Sequence, residues 1–219
     1  MNLLALETAT EACSVALLAG SGVLERHLLT PQGHTRHLLP MVHAVCAEAG
    51  VPLSSLDGLA VGIGPGAFTG VRIACAVAQG LALALNLPIA PVSTLAALAR
   101  GGWRLTGRRE WLVATDARRA EVYWAAGSVA AAGDRVDWRV ADRLDAPSRV
   151  TAPPIPGWGS AGNGWQAHGV ALPTPDDGSA PALLYPEAHD VLALGRAMLA
   201  DGRGLRPDAL APVYLRSPL

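Results

Sequence analysis

Lysine is absent from this 219-residue chain, whose seventeen basic residues are all arginine. That absence excludes a Walker A phosphate loop, which needs a lysine to reach the terminal phosphates, and it excludes Schiff-base chemistry on a lysine amine. Charge of either sign is sparse: charged residues make up 16% of the chain and the formal net charge is −1. Unaided grip on nucleic acid needs an excess of clustered cations, so a free-standing nucleic-acid binder is disfavoured. Cysteine is scarce too. Cys13, Cys46 and Cys75 lie far apart with no Cys-x-x-Cys among them, which reads as reduced, buried thiols in a cytoplasmic protein. The opening residues form a strand-like run instead of a basic segment followed by an apolar stretch, so no secretory leader is expected. The apolar run 71–87 is nearly long enough to span a bilayer. Arg72, Gln79 and the flanking Pro65 and Pro88 favour a buried helix instead, with no membrane partner.

Hydrophobic residues are abundant, at 51%, enough for one large domain or two lobes sharing an interface. Short apolar runs at 3–6, 14–18 and 23–29, with Gly20-Ser21-Gly22 between the last two, predict an antiparallel meander. From His34 to Ala49, residues Leu38, Leu39, Val42, Val45, Cys46 and Ala49 recur at helical spacing, and Gly50 supplies the stop. Pro40 inside this segment predicts a late start or a kink. A strand over 59–63, a helix over 71–85, a strand over 89–92 and a helix over 94–100 capped by Ser93 follow. Antiparallel strands that give way to alternating strand and helix predict the α/β class, a mixed sheet with helices packed on it. Further on, strands are expected at 111–115 and 121–126 around the turn-like DARRA, a helix at 187–199, and an extended PVYLRSPL end. The stretch 130–181, rich in Ala, Gly and Pro, shows little periodicity. A boundary near residue 100 divides a lobe 1–100 from a lobe 101–219.

Several constellations could carry chemistry. Gly62, Gly64, Gly66 and Gly70 lie between a strand and a helix, with Thr69 beside them, and such a join can offer backbone N–H groups to an anion. The same glycines also suit a tight turn and close packing of the Ala-rich helix. That helix carries Ala74, Ala76, Ala78, Gly80, Ala82 and Ala84 and is apolar all round, so it must be covered on every side. A face shared with a second protein is the sharper reading. His34 and His37 form His-x-x-His, but the carboxylate and third ligand of a metal site are missing from the pattern, so no metal is expected. In GWGSAG, Trp158 stands where a nucleophile elbow needs glycine, so Ser160 is not a nucleophile. Glu7, Asp116 and Glu121 flank strand ends, where turn and ion-pair roles are commoner than catalysis. Arg104, Arg108, Arg109, Arg118 and Arg119, interleaved with Trp103 and Trp111, could stack on RNA but more commonly form a solvated rim.

The strings LLALETATEACSVAL, HTRHLLPMV, GIGPGAFTGVRIACAVAQGLALALNLPIAPVSTLAALA, ATDARRAEVYWA and PVYLR together resemble the TsaB family, also called YeaZ, in the same order over nearly the whole chain. The resemblance implies a two-lobed ASKHA fold, like actin, hexokinase and Hsp70 and related to ribonuclease H, with a degenerate second lobe. It implies a non-catalytic subunit that lacks the metal-binding histidine pair of the catalytic subunit TsaD. Such a subunit binds TsaD and, with TsaE and the adenylate producer TsaC, supports threonylcarbamoylation of the adenosine next to the anticodon. It meets tRNA only through the complex and forms a homodimer when alone. The docking face would fall on the two helices, at His34, His37, Leu38, Leu39, Val42, Val45, Ala74, Val77, Ala78 and Leu81. No cofactor would be firmly bound, though ATP or ADP at the partner interface is compatible with Glu7, Thr8, Gly64, Gly66, Thr69 and Gly70. Glu7 departs from the family's usual Asp (ETAT for DTAT), which weakens that nucleotide role. The alternative functions are an ASKHA-type nucleotide-binding ATPase and an M22-like metallopeptidase.

Overall fold

The computed structural model describes residues 1–216. Three strands open the chain, β1 (Leu3–Glu7), β2 (Ala12–Ala19) and β3 (Gly22–Leu29), as the expected meander. β1 is buried on both faces, which is why its sequence is uniformly apolar instead of alternating. The helix α1 (His34–Ala49) follows, then β4 (Gly58–Gly62), α2 (Phe68–Leu85) and β5 (Ile89–Val92). These strands form one sheet in the order β3-β2-β1-β4-β5, antiparallel through β3, β2 and β1 and parallel through β1, β4 and β5. The second sheet has the order β8-β7-β6-β9 and uses β6 (Glu110–Asp116), β7 (Val122–Val129), β8 (Val136–Asp145) and β9 (Gly159–Ala161). It too is mixed, since β9 runs parallel to β6 while β7 and β8 are antiparallel neighbours.

Residue parity sorts the core. Leu4, Leu6, Leu59 and Val61 face Leu38, Val42 and Val45 of α1 and Val71, Ala74 and Ala78 of α2. Leu3, Ala5, Ala60 and Ala90 face the other way, toward α3 (Thr94–Thr106) and α5 (Ala188–Ala200). That second face is built from small residues, so α5 lies close: a Cβ at Gly195 would collide with the Ala60 Cβ. α3 is shared, with Ala96 and Ala97 toward the first sheet and Leu95, Leu98 and Ala99 toward Trp111, Val113 and Ala125 of the second. Residue 100 falls inside α3, and α5 returns from the far half of the chain to cover the first sheet.

Three expectations change. Pro40 neither delays nor ends α1, which begins at His34; Pro40 is solvent-exposed, so the Arg36 carbonyl it leaves without a helical donor sits on the wet side. α2 starts at Phe68, about a turn early, and α3 continues to Thr106, where Gly107 in the left-handed conformation stops it. β8 went unread in the Ala-, Gly- and Pro-rich stretch, although Val136, Trp138 and Val140 alternate with more exposed polar residues as an edge strand should. Gly50 closes α1 at φ 66°, and the Ser93 Oγ accepts from Ala96 N at 3.3 Å, both as expected.

Candidate functional site: an interlobe cleft and an uncovered helix face

The glycine-rich loop is filled by the chain's own backbone. Ala67 N donates to Ala9 O at 2.7 Å, and a Cβ at Gly66 would strike Ala9 while one at Gly70 would strike the Thr8 carbonyl. Thr8 is buried and its Oγ1 donates to Gly70 O at 2.7 Å. The close-packing reading of Gly66 and Gly70 therefore describes their contacts. Gly64, at φ 95°, precedes a cis Pro65, and its carbonyl accepts from Thr94 N. Thr69 is exposed on the first turn of α2.

Beneath this loop Glu7 is fully buried. Its Oε1 accepts from Ala9 N at 2.6 Å and its Oε2 from Thr94 Oγ1 at 3.1 Å. No guanidinium pairs with it among the described residues. Burial pushes its carboxyl up to about 7, against the lowering effect of those hydrogen bonds. Burial, with the Glu7 charge adding to it, also raises the thiols of Cys13 and Cys75 to about 11 and about 12, so both are unreactive packing groups.

A cleft of about 610 Å³ opens between the two sheets. The turn after β1 forms one wall, with Ala9, Thr10 and Glu11. The start of α2 and the chain end form the second, where Phe68 and Tyr214 lie 5.4 Å apart and the Arg72 guanidinium sits 3.6 Å over the Phe68 ring. Val213 N donates to Ile63 O, which anchors the chain end there. The third wall is the end of β6 and the DARRA turn, where Arg118, Arg119 and Ala120 all take positive φ. Asp116, at the end of β6, contacts His168 at 3.2 Å and pairs with Arg118, which also reaches Glu11 at 2.9 Å. Glu121 pairs with Arg216 at 2.6 Å. Asp116 and Glu121, two of the three carboxylates anticipated at strand ends, thus hold a turn and ion pairs beside the cleft, whereas Glu7 forms no ion pair.

The anticipated docking residues divide sharply. His34, Leu38, Val42, Val45, Ala74 and Ala78 are buried in the chain's own core, so as contacts for another protein they are corrected. The reason is geometric: spacings of four, four and three mark one face of a helix, and that face is the one turned to its own sheet. Leu39 is exposed, and His37, Val77 and Leu81 are partly so. The uncovered face of α2 runs instead through Phe68, Arg72, Ala76, Gly80, Leu83 and Ala84, and only 33% of the helix is buried. Leu83 is 77% exposed, and a Cβ at Gly80 would meet nothing within 4 Å.

His34 spends Nε2 on the Thr10 carbonyl at 2.7 Å, which makes that nitrogen the donor and leaves it unable to bind a metal. No group of three or more His, Cys, Asp or Glu suited to a metal is found among the described residues. Ser160 is buried on β9. The arginine-rich segment does not form one stacking platform: Trp111 is core, its Nε1 donating to Arg108 O, and the arginines disperse. Arg104 joins Arg100 on the buried Asp190 of α5, Arg108 pairs with Asp177, and Arg109 bonds Val129 O. Sequence reasoning missed Asp190 and the aromatic lip of the cleft, because each depends on segments far apart in the chain.

Residues 28–195 match the family model described as TsaD: tRNA N6-adenosine threonylcarbamoyltransferase. The chain is 40% identical to the tRNA threonylcarbamoyladenosine biosynthesis protein TsaB of Escherichia coli (strain K12), over 99% of this chain and 95% of that protein. It is 34% identical to the TsaB of Haemophilus influenzae, over 99% and 94%. The solved structure of YeaZ from Pseudomonas aeruginosa superposes with a TM-score of 0.88 at 42% identity, covering 98% of this chain and 99% of that one. The two helix-flanked mixed sheets are those of an ASKHA fold.

Proposed function

The chain belongs to the TsaB (YeaZ) family, and on that premise we propose that it serves tRNA threonylcarbamoyladenosine biosynthesis as the non-catalytic partner of TsaD. In this reading TsaD performs the transfer and the present chain docks against it in the cytoplasm. TsaE joins the complex, tRNA is met through it, and a second copy of the chain takes TsaD's place when TsaD is absent. ATP or ADP, where present, lies at the partner interface and is not a resident cofactor.

The outward face of α2 carries this reading. Phe68, Ala76, Gly80, Leu83 and Ala84 leave an apolar strip in water, broken by one charge at Arg72. Covering a Leu or Phe side chain stabilises by about 1.5–3 kcal/mol, and a few such anchors suffice for a specific interface. Ala76, Gly80 and Ala84 follow one another every fourth residue, which lets a partner backbone approach closely. Leu39 is also exposed, on the neighbouring α1.

Leu39→Glu and Leu83→Glu, each mixed with TsaD on gel filtration, test the placement. Both side chains are exposed, so the free monomer should keep its circular dichroism and melting temperature while the complex peak is lost. Val42 is unsuitable for this test, since a charge there enters the core. A complex that elutes unchanged with either variant contradicts the docking face.

A further inference from the structure

We propose that the open edge of β3 pairs with the same edge of a second copy of this chain, joining two five-stranded sheets into one. This inference goes beyond the docking reading, in which a second copy covers α2. β3 is the edge strand beyond β2, whereas α2 packs over β1 and β4.

The sheet edges are not alike. β5 contains Pro91 and is closed by Leu205, which exchanges two backbone hydrogen bonds with Ile89. β9 is three residues long, and its Ser160 O accepts from Ala182 N. β8 pairs in a shifted register and sets Asp137, Arg139 and Arg143 along its exposed side. Short length, proline, bulges and charge are the means by which sheets keep their edges from pairing. β3 has little of this protection. It runs for eight residues without proline, in unbroken register with β2, and leaves Val23, Leu28 and Leu29 exposed at 37%, 39% and 59%. Its exposed Arg26 is paired with Glu48 of α1. α1 lies over β2 and α5 over β1, β4 and β2, so β3 is left at the rim.

The hairpin fixes which amides face outward. Gly20 and Ser21 form a two-residue loop, so the flanking pair Ala19 and Gly22 exchanges hydrogen bonds, as does every second pair after it. Val23, Glu25, His27 and Leu29 therefore point N–H and C=O away from β2. A two-fold axis perpendicular to the sheet makes the paired edges antiparallel and keeps like sides together. Centring that axis on Arg26 sets Val23 opposite Leu29 of the second copy, Leu24 opposite Leu28 and Glu25 opposite His27. Apolar meets apolar and acid meets imidazole, each twice by symmetry. The two Arg26 side chains meet at the axis, but each brings its own Glu48, so the cluster is neutral. An axis on Glu25 would oppose two carboxylates instead, and an axis on His27 would set Glu25 against Leu29. The ladder so formed gains about eight backbone hydrogen bonds, two for each pair of outward residues.

Disulfide capture of the full chain tests this register. The native cysteines are buried and stay silent. Facing Cα atoms of a non-hydrogen-bonded pair lie about 4.5 Å apart, within disulfide reach, so Arg26→Cys should link to its own copy on mild oxidation. Leu28→Cys is on the same side of the strand, but its equivalent would lie four residues along, about 13 Å away, and it should link at least about tenfold more slowly. Adding Leu29→Glu to Arg26→Cys sets a charge against Val23 at both ends of the ladder and should slow linking by roughly tenfold. Adding Leu83→Glu, which blocks α2, should leave the rate unchanged, so this test and that of the docking face fail separately. All four substituted side chains are exposed, so the fold is retained. Absence of a link, equal rates for Arg26→Cys and Leu28→Cys, no effect of Leu29→Glu, or a link lost with Leu83→Glu overturns the proposal.

Discussion

Glu7 and Asp190 are both carboxylates at zero exposure, and their surroundings set them apart. Glu7 has only hydrogen bonds to meet it, and burial lifts its carboxyl from 4.5 to about 7. Between those values the folded chain holds a proton that the unfolded chain has released, so stability falls as pH rises from about 4.5 to about 7 and stays lower above. The loss is on the order of 3 kcal/mol for a group so fully buried. Glu7→Gln mimics the protonated form, so urea unfolding of the variant should lack this decline, and an identical decline in both proteins would contradict the assignment. Asp190 instead accepts from Arg100 at 2.6 Å and from Arg104 at 2.9 and 3.1 Å. Asp190→Ala strands the part-buried Arg100 guanidinium and leaves Arg104 with Glu187 alone, and should cost roughly 3 kcal/mol in the same measurement. The burial of the cysteines was legible from their apolar neighbours. That of Asp190 was not, since its partners lie more than eighty residues away.

At the scale of elements, helical period marked α1 and α2 correctly but could not tell which face of each would be covered by the sheet. Residues such as Val42 and Ala78 were spaced as a docking strip because inward faces and interface faces obey the same rule of spacing. Only the sheet, once formed, decides between them, and it takes Leu38, Val42, Ala74 and Ala78. The outward strip was visible in composition as the excess of apolar and small residues in α2, more than one sheet face can use. β8 was legible in principle from Val136, Trp138 and Val140, and was masked by the glycines and prolines around it. The DARRA turn shows a different limit. Three successive residues at positive φ, each of a kind that costs roughly 1–2 kcal/mol there, follow from no local signal. Of the three, Arg118 donates its backbone N–H to Asp116 and its guanidinium to Glu11 across the cleft.

At the scale of the molecule, two mixed sheets clasp α3 and α5, leaving α1 and α2 as the outer layer of the first sheet. The outer layer is therefore the part of the fold that another protein can cover without disturbing either core. The cleft meets this outer layer at the start of α2, where Phe68 and Arg72 belong both to the cleft wall and to the uncovered face. Amide hydrogen exchange with and without TsaD tests the central claim, cover of α2 by a partner, most directly. Exchange across Phe68–Leu85 should slow on adding TsaD while that of Ala188–Ala200, on the opposite side of the first sheet, stays the same. Unchanged exchange in α2 alongside slowed exchange in α5 or the second sheet would contradict it.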